Sequence, residues 1–279
     1  MQKLYNKKFW WVGNYKKIIG KDFMKFVNQF IDEITEYNYE GYWYTHEEVS
    51  LEMFIKLLLR KPIKILTGGK YKFKKRVLRY KDGMRISFIK PQRYYKAANK
   101  FINNILDYIA PDGNNIILDQ FLLPFNLHRI DNYFDDEVRT IVVERDPRDV
   151  YILNKYIWGE KGISIPMPKE VNKFVEFYKG MRESEIIKDS NKVLRIRFED
   201  LIYNYDSELK KIIKFLGFKE SDHINKKTRF NPEISIKNTQ LFRKEEYKEE
   251  IKIIEENLKD YLYDFKEKIY NNVNETVEF

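Results

Sequence analysis

Cysteine is absent from the 279 residues. Disulfides, thiolate metal sites and a cysteine nucleophile are therefore excluded, while the redox compartment stays open. Histidine is scarce. His46, His128 and His223 are the three present, far apart and without metal-ligand spacing, so no metal is expected. No apolar run approaches the roughly 18–20 residues of a membrane span. No apolar h-region follows Met1-Gln2-Lys3-Leu4-Tyr5-Asn6, as a signal peptide requires. The expectation is a soluble, cytoplasmic protein. The chain also lacks internal repeats and low-complexity linkers.

Apolar and basic residues are plentiful. Hydrophobic residues make up 43% of the chain, enough to bury a sizeable core. The net charge of +9 fits a partner rich in phosphate, sulfate or carboxylate. It fits equally a general bias toward Lys, Asn, Ile and Tyr. The run Lys70-Tyr71-Lys72-Phe73-Lys74-Lys75-Arg76 reads as a solvated surface segment or as a face toward an acidic acceptor.

Periodicity outlines the elements. Phe23, Phe26, Val27, Phe30, Ile31 and Ile34 recur at helical spacing, as do Leu51, Phe54, Ile55, Leu58 and Leu59. A further helix is expected over 94–109, ended by the turn residues Pro111-Asp112-Gly113. Asn115-Ile116-Ile117-Leu118-Asp119 reads as a short buried strand and 127–134 as helical. A strand is expected over 138–143, a helix over 169–188, a strand over 193–198 and a helix over 207–215 closed by Gly217. The stripe Ile251, Ile254, Leu258, Leu262, Phe265 and Ile269 predicts one long amphipathic helix over 244–270. The aromatic clusters Phe9-Trp10-Trp11 and Tyr42-Trp43-Tyr44 suit core packing or the lining of a cleft.

The densest signal is Thr140-Ile141-Val142-Val143-Glu144-Arg145-Asp146-Pro147-Arg148-Asp149-Val150-Tyr151. A β-branched run ends at an arginine, a proline fixes the turn, and a helix-like run follows. A strand end places Arg145 at the crevice where doubly wound sheets bind ligands. A guanidinium grips phosphate with two parallel hydrogen bonds, and Asp146 or Asp149 suits the helix N-cap. The alternative is that Arg145 and Arg148 only pair with Asp146, Asp149 or Glu144.

This stretch resembles the 3′-phosphate-binding segment of bacterial-type sulfotransferases that use 3′-phosphoadenosine 5′-phosphosulfate (PAPS). Leu194-Arg195-Ile196-Arg197-Phe198-Glu199-Asp200-Leu201, followed by Ile212-Ile213-Lys214-Phe215-Leu216-Gly217-Phe218, is similar to that family's second motif, in the family's order. Phe230-Asn231-Pro232-Glu233-Ile234-Ser235-Ile236-Lys237-Asn238-Thr239 loosely resembles its late loop. The resemblance implies an α/β fold with a P-loop-like parallel sheet flanked by helices, a helical N-terminal region and a long C-terminal helix. It implies one domain over 1–279, with 1–110 mainly helical on the acceptor side and 111–279 binding the nucleotide. It further implies sulfonate transfer from PAPS, without a metal, to a hydroxyl of a carbohydrate or small-molecule acceptor.

By the same resemblance Arg145, Asn154, Phe198, Ser235, Lys237 and Asn238 are candidates for holding PAPS. Asn154 neighbours Leu153, which stands where relatives usually carry serine. Asp119 and His128 are candidates for the general base, with turn capping and a structural histidine as the alternatives. The family's front Gly/Ser/Thr-rich loop has no counterpart. Gly68-Gly69-Lys70-Tyr71 is the nearest stretch, and it lacks the first glycine and the closing Ser/Thr. That loop is expected upstream of Met1 in a longer protein, or lost. A non-catalytic member of the fold and a basic nucleic-acid-binding protein are the other readings. The second has no recognised binding motif, so no nucleic-acid partner is expected.

Overall fold

The computed structural model describes residues 2–9, 12–43, 51–70, 80–111, 115–135, 138–159, 167–187 and 190–265. Trp10-Trp11, Tyr44, His46, Asp112-Gly113, Pro166, most of the basic run at 71–76 and the expected helix end with Ile269 lie outside the described residues. The chain divides into two compact units, 1–116 and 117–279.

In the first unit, α1 (Phe23–Ile34) lies against α3 (Pro91–Ile109), with α2 (Leu51–Leu66) between them in sequence. Phe23 and Val27, one helical turn apart, are buried, as are Ala97 and Ala98. The small alanines let the two helices approach. Phe30 and Phe101 then meet at 5.4 Å between ring centroids and Phe26 and Tyr108 at 5.8 Å. Gly20 has φ +126, and a Cβ there would stand 2.6 Å from the Tyr108 ring, so only glycine fits. An antiparallel ladder of β1 (Tyr37–Trp43) and β2 (Tyr80–Ile86), in register Tyr37↔Ile86, joins the expected helices. Gly68 and Gly69 sit at positive φ just after α2, their N–H groups bonded to the carbonyls of Ile65 and Lys64. They form a helix C-cap.

The second unit carries a small parallel sheet. β3 (Thr140–Glu144) pairs with β4 (Val193–Arg197), in register Thr140↔Val193 through Glu144↔Arg197. The crossover passes through α4 (Pro147–Ile152), a π-helical turn over Leu153–Ile157 and α5 (Val171–Glu183). After β4 come α6 (Phe198–Tyr203) and α7 (Tyr205–Leu216), the latter closed by Gly217 at φ +75. α8 (Pro232–Ser235) and α9 (Lys248–Asn257) follow. Charge locks the two strands together. Glu144 meets Arg182 at 2.6 Å, Arg195 at 3.0 Å and Arg197 at 3.7 Å, and Glu185 meets Arg195 at 2.7 Å.

The main core of this unit gathers Tyr151, Ile152, Phe174, Tyr178, Phe242, Ile254, Leu258 and Phe265. Phe174 is fully buried. Phe174→Ala is expected to cost about 3–5 kcal/mol, because the vacated volume cannot collapse fully. A lowered urea midpoint with an unchanged m-value checks this; a shift worth under about 1 kcal/mol contradicts it.

Two expected elements differ. The apolar run Ile116-Ile117-Leu118 is not a buried strand: it pairs with no strand among the described residues, and Ile117 is 94% exposed. β-branched residues form a strand only where a ladder partner stands beside them. The C-terminal helix is also short. It ends at Asn257, and after the 3₁₀ turn Lys259–Tyr261 the chain turns extended at Leu262 and continues without helix through Phe265. The extension lets the Tyr263 N–H bond the buried Asp146 carboxylate at 2.8 Å, while Arg197 bonds the Tyr261 carbonyl at 2.9 Å. A continued helix would tie up these backbone groups internally. Among the described residues no helix is long and apolar enough to cross a membrane.

Candidate functional site

The sheet's carboxyl edge is where β3 releases Arg145 and β4 releases Phe198. Pro147 opens α4 at a position that needs no N–H. Asp146 caps it, accepting from the Arg148 N–H at 2.9 Å. Asp146 also holds the Arg148 guanidinium at 3.0 and 2.7 Å. Arg148 adds Glu255 at 2.7 Å and lies 4.0 Å over the Phe242 ring. Burial opposes its charge, but Asp146 and Glu255 outweigh burial and raise its pKa. Arg148 is thus an internal tie, and the pairing alternative holds for it.

Arg145 is placed differently. It donates to the Asn238 carbonyl, and its guanidinium stands 4.7 Å over the Phe198 ring. Its Nε is buried without a partner. Burial lowers its pKa, opposed by the charges of Asp149, Glu199 and Asp146. Asp149 is fully buried, accepting from the Gln240 N–H at 2.8 Å and more weakly from the Phe242 N–H at 3.4 Å. Burial pushes its carboxyl up to about 7, with Arg145 pulling the other way. Glu199 is also fully buried. One of its oxygens accepts from the Asp146 N–H at 2.9 Å and the other has no partner. Burial raises its pKa too.

Arg145, Phe198 and Asn238 therefore meet, and Asn238 also presents a buried side-chain oxygen without a partner. Ser235 ends α8 and Lys237 lies in the adjoining 3₁₀ turn Ile236–Asn238, both half-buried. Asn154 sits in the π-helical turn, and its amide nitrogen donates to the carbonyls of Met167 and Pro168, each at 3.3 Å. Its donors thus face the 167–168 backbone. Asp119 and His128 are exposed on the segment before β3. His128 Nε2 accepts from Arg129 at 3.3 Å, and no described contact joins either residue to Arg145.

A separate open cleft of about 560 Å³ is lined by Arg139, Asn191, Lys211, Lys214, Phe215 and Gly217. Arg139 and Asn191 precede β3 and β4, so this cleft lies at the amino edge, opposite the end where α/β sheets bind ligands. The described residues contain no group of three or more His, Asp or Glu able to hold a metal.

The sequence offers Asp149 only as a helix cap or a pairing partner of Arg145, and it does not single out Glu199 as an acid near Arg145. The signal was present: Asp149 falls one helical turn after Arg145, and Glu199 is second after the β4 end. Their chemistry comes from burial, which spacing does not reveal.

A family model described as "Sulfotransferase domain" matches residues 123–277, more than half of the chain and all of this edge. No curated protein and no solved structure matches.

Proposed function

Because the chain belongs to the sulfotransferase-domain family, whose general chemistry is sulfonyl transfer, we propose that it takes the sulfonate from PAPS and delivers it to a hydroxyl of a carbohydrate or small-molecule acceptor. The observation that carries this reading is Arg145: a guanidinium at the carboxyl edge whose buried Nε has no protein partner. A buried donor left unpaired is costly, and a phosphate oxygen satisfies it. The residues present therefore fit the 3′-phosphate half of the nucleotide.

In this reading Arg145 holds the 3′-phosphate, with Ser235, Lys237 and Asn238 closing from the α8 side. Phe198 offers its ring to the adenine, at the cost of the hydroxyl a tyrosine would carry. PAPS supplies the activated sulfonate. Asp119 or His128 takes the acceptor proton, since both are open to solvent and to an incoming hydroxyl. A wider P-loop-like arrangement around the parallel pair, acting as one domain with a front acceptor region, belongs to the same proposal.

A second reading, a fold that binds nucleotide without transferring sulfonate, is favoured by Gly68 and Gly69. Their N–H groups already bond α2 carbonyls and do not cradle a phosphosulfate.

Calorimetric titration with 3′,5′-adenosine bisphosphate tests the shared premise. One-to-one binding in the micromolar range is expected. No heat and no thermal shift from well-folded protein would falsify both readings. Sulfonate transfer from PAPS to an acceptor panel then separates them, because turnover by this chain alone excludes the second.

A further inference from the structure

We propose that Asp149 is a positioning residue that couples occupancy of the Arg145 site to a proton: a phosphate arriving on Arg145 drives net proton uptake, at most one per site, from solvent onto the Asp149 carboxylate. The inference rests on the nucleotide reading above.

The argument begins with unequal charge. Asp146, Asp149 and Glu199 are all fully buried around this edge. Arg148 is engaged by Asp146 and Glu255. Arg145 is then the cation left to Asp149 and Glu199, and no described ion pair joins it to either by contact. Asp149 is held by two backbone N–H groups of the segment after Asn238. Glu199 has one oxygen without a partner.

No described ion pair or hydrogen bond brings a further cation to Asp149, and Lys237 stands half-buried in the turn Ile236–Asn238, on the phosphate side of the site in the reading above. From α5, Tyr178 lies 3.5 Å from the Arg145 carbonyl, and Arg182 is taken by Glu144 and Glu185. From α9, Glu255 is held by Arg148 and Glu250 pairs with Lys155. On the late segment, Arg243 is exposed.

A phosphate dianion on Arg145, even with half-buried Lys237 beside it, adds negative charge next to two fully buried carboxyls, Asp149 and Glu199. In a low-dielectric site such crowding disfavours the ionised form of its neighbours. The response that removes the repulsion is protonation. Asp149 is the group already poised for it, since burial holds its carboxyl near neutrality. Incoming charge raises it further, so the bound state carries more protons than the free state, and affinity must fall as pH rises. The same carboxyl anchors Gln240 and Phe242, just after Ser235, Lys237 and Asn238. The proton therefore acts where the late loop is tethered.

The test is titration of 3′,5′-adenosine bisphosphate at pH 7.5 in two buffers of different ionisation enthalpy. The ligand's phosphates, with second pKa near about 6, are then almost fully ionised and contribute little. Wild type is expected to take up about half a proton per nucleotide, and to lose roughly threefold to tenfold in affinity from pH 7.5 to 8.5. Asp149→Asn is expected to show no uptake and a flat profile. Glu199→Gln removes one neighbouring acid and should reduce uptake at pH 7.5, which keeps the test alive if Asp149→Asn does not fold. Binding without proton uptake in wild type, or uptake unchanged in either folded variant, overturns the inference. Absence of binding at every pH overturns the nucleotide reading instead.

Discussion

Arg145→Ala is expected to weaken binding of 3′,5′-adenosine bisphosphate by about 100-fold or more. Hydrogen bonds to a charged group contribute about 1.5–3 kcal/mol each. A guanidinium makes two to one phosphate, and about 1.4 kcal/mol is tenfold in affinity. Arg145→Lys keeps the charge but not the fork, so it should fall between. Calorimetry on folded protein measures both, and wild-type affinity in the alanine variant refutes the assignment. The same variant should show a pH-dependent stability loss. Asp149 and Glu199 already have raised pKa values through burial, so ionising them opposes folding. For a carboxyl raised in the folded state, the penalty is absent below its unfolded pKa, near about 4, and grows as pH climbs toward the folded value. Removing the cation that opposes the rise enlarges that penalty. Urea midpoints of Arg145→Ala should therefore trail wild type more at pH 8 than at pH 5.

Asp146→Ala is expected to cost about 3–5 kcal/mol of stability. Its carboxylate caps α4, holds Arg148 through two atoms and receives the Tyr263 N–H. Truncation leaves the Arg148 guanidinium buried with Glu255, the Tyr263 carbonyl and ring faces, and a buried charge robbed of its main partner is destabilising by that order. The double variant Asp146→Ala/Arg148→Met should recover part of the loss, because an apolar pair of similar volume avoids the stranded charge. Urea unfolding of the two variants decides this; a single-variant loss under about 1 kcal/mol contradicts the tie.

Sequence pattern makes some of this fold legible. The stripes of α1, α3, α5 and α7 show because helical periodicity is local. The strand at Thr140–Glu144 shows because a β-branched run meets a turn signal. The Tyr37–Trp43 ladder does not: its alternation over Tyr37-Asn38-Tyr39-Glu40 is short, Gly41 breaks the period, and its partner lies beyond α2. Ile116-Ile117-Leu118 misleads for the opposite reason: its composition suits a strand, but no partner stands beside it. The C-terminal stripe overstates its helix, because no period in 244–270 records that Asp146, distant in sequence, needs a backbone N–H. At the site, strand-end logic locates Arg145, and the family resemblance points to Phe198. The pattern offers Asp149 only as a cap or ion-pair partner and passes over Glu199, because the character of both follows from complete burial.

The parallel pairing of β3 and β4 bears on how the chain reaches this state. Backbone Asp146 meets Glu199 across 53 residues of sequence, and the whole β3–β4 register spans the same separation. Closing so long a loop costs entropy before any ladder bond forms, whereas α5 and α7 need only local contacts. The helices are thus expected to form early and the sheet edge that carries Arg145 to be completed late. The proposed nucleotide site is then expected to form late, so slow folding and loss of binding should appear together in variants that weaken the Glu144 arginine cluster.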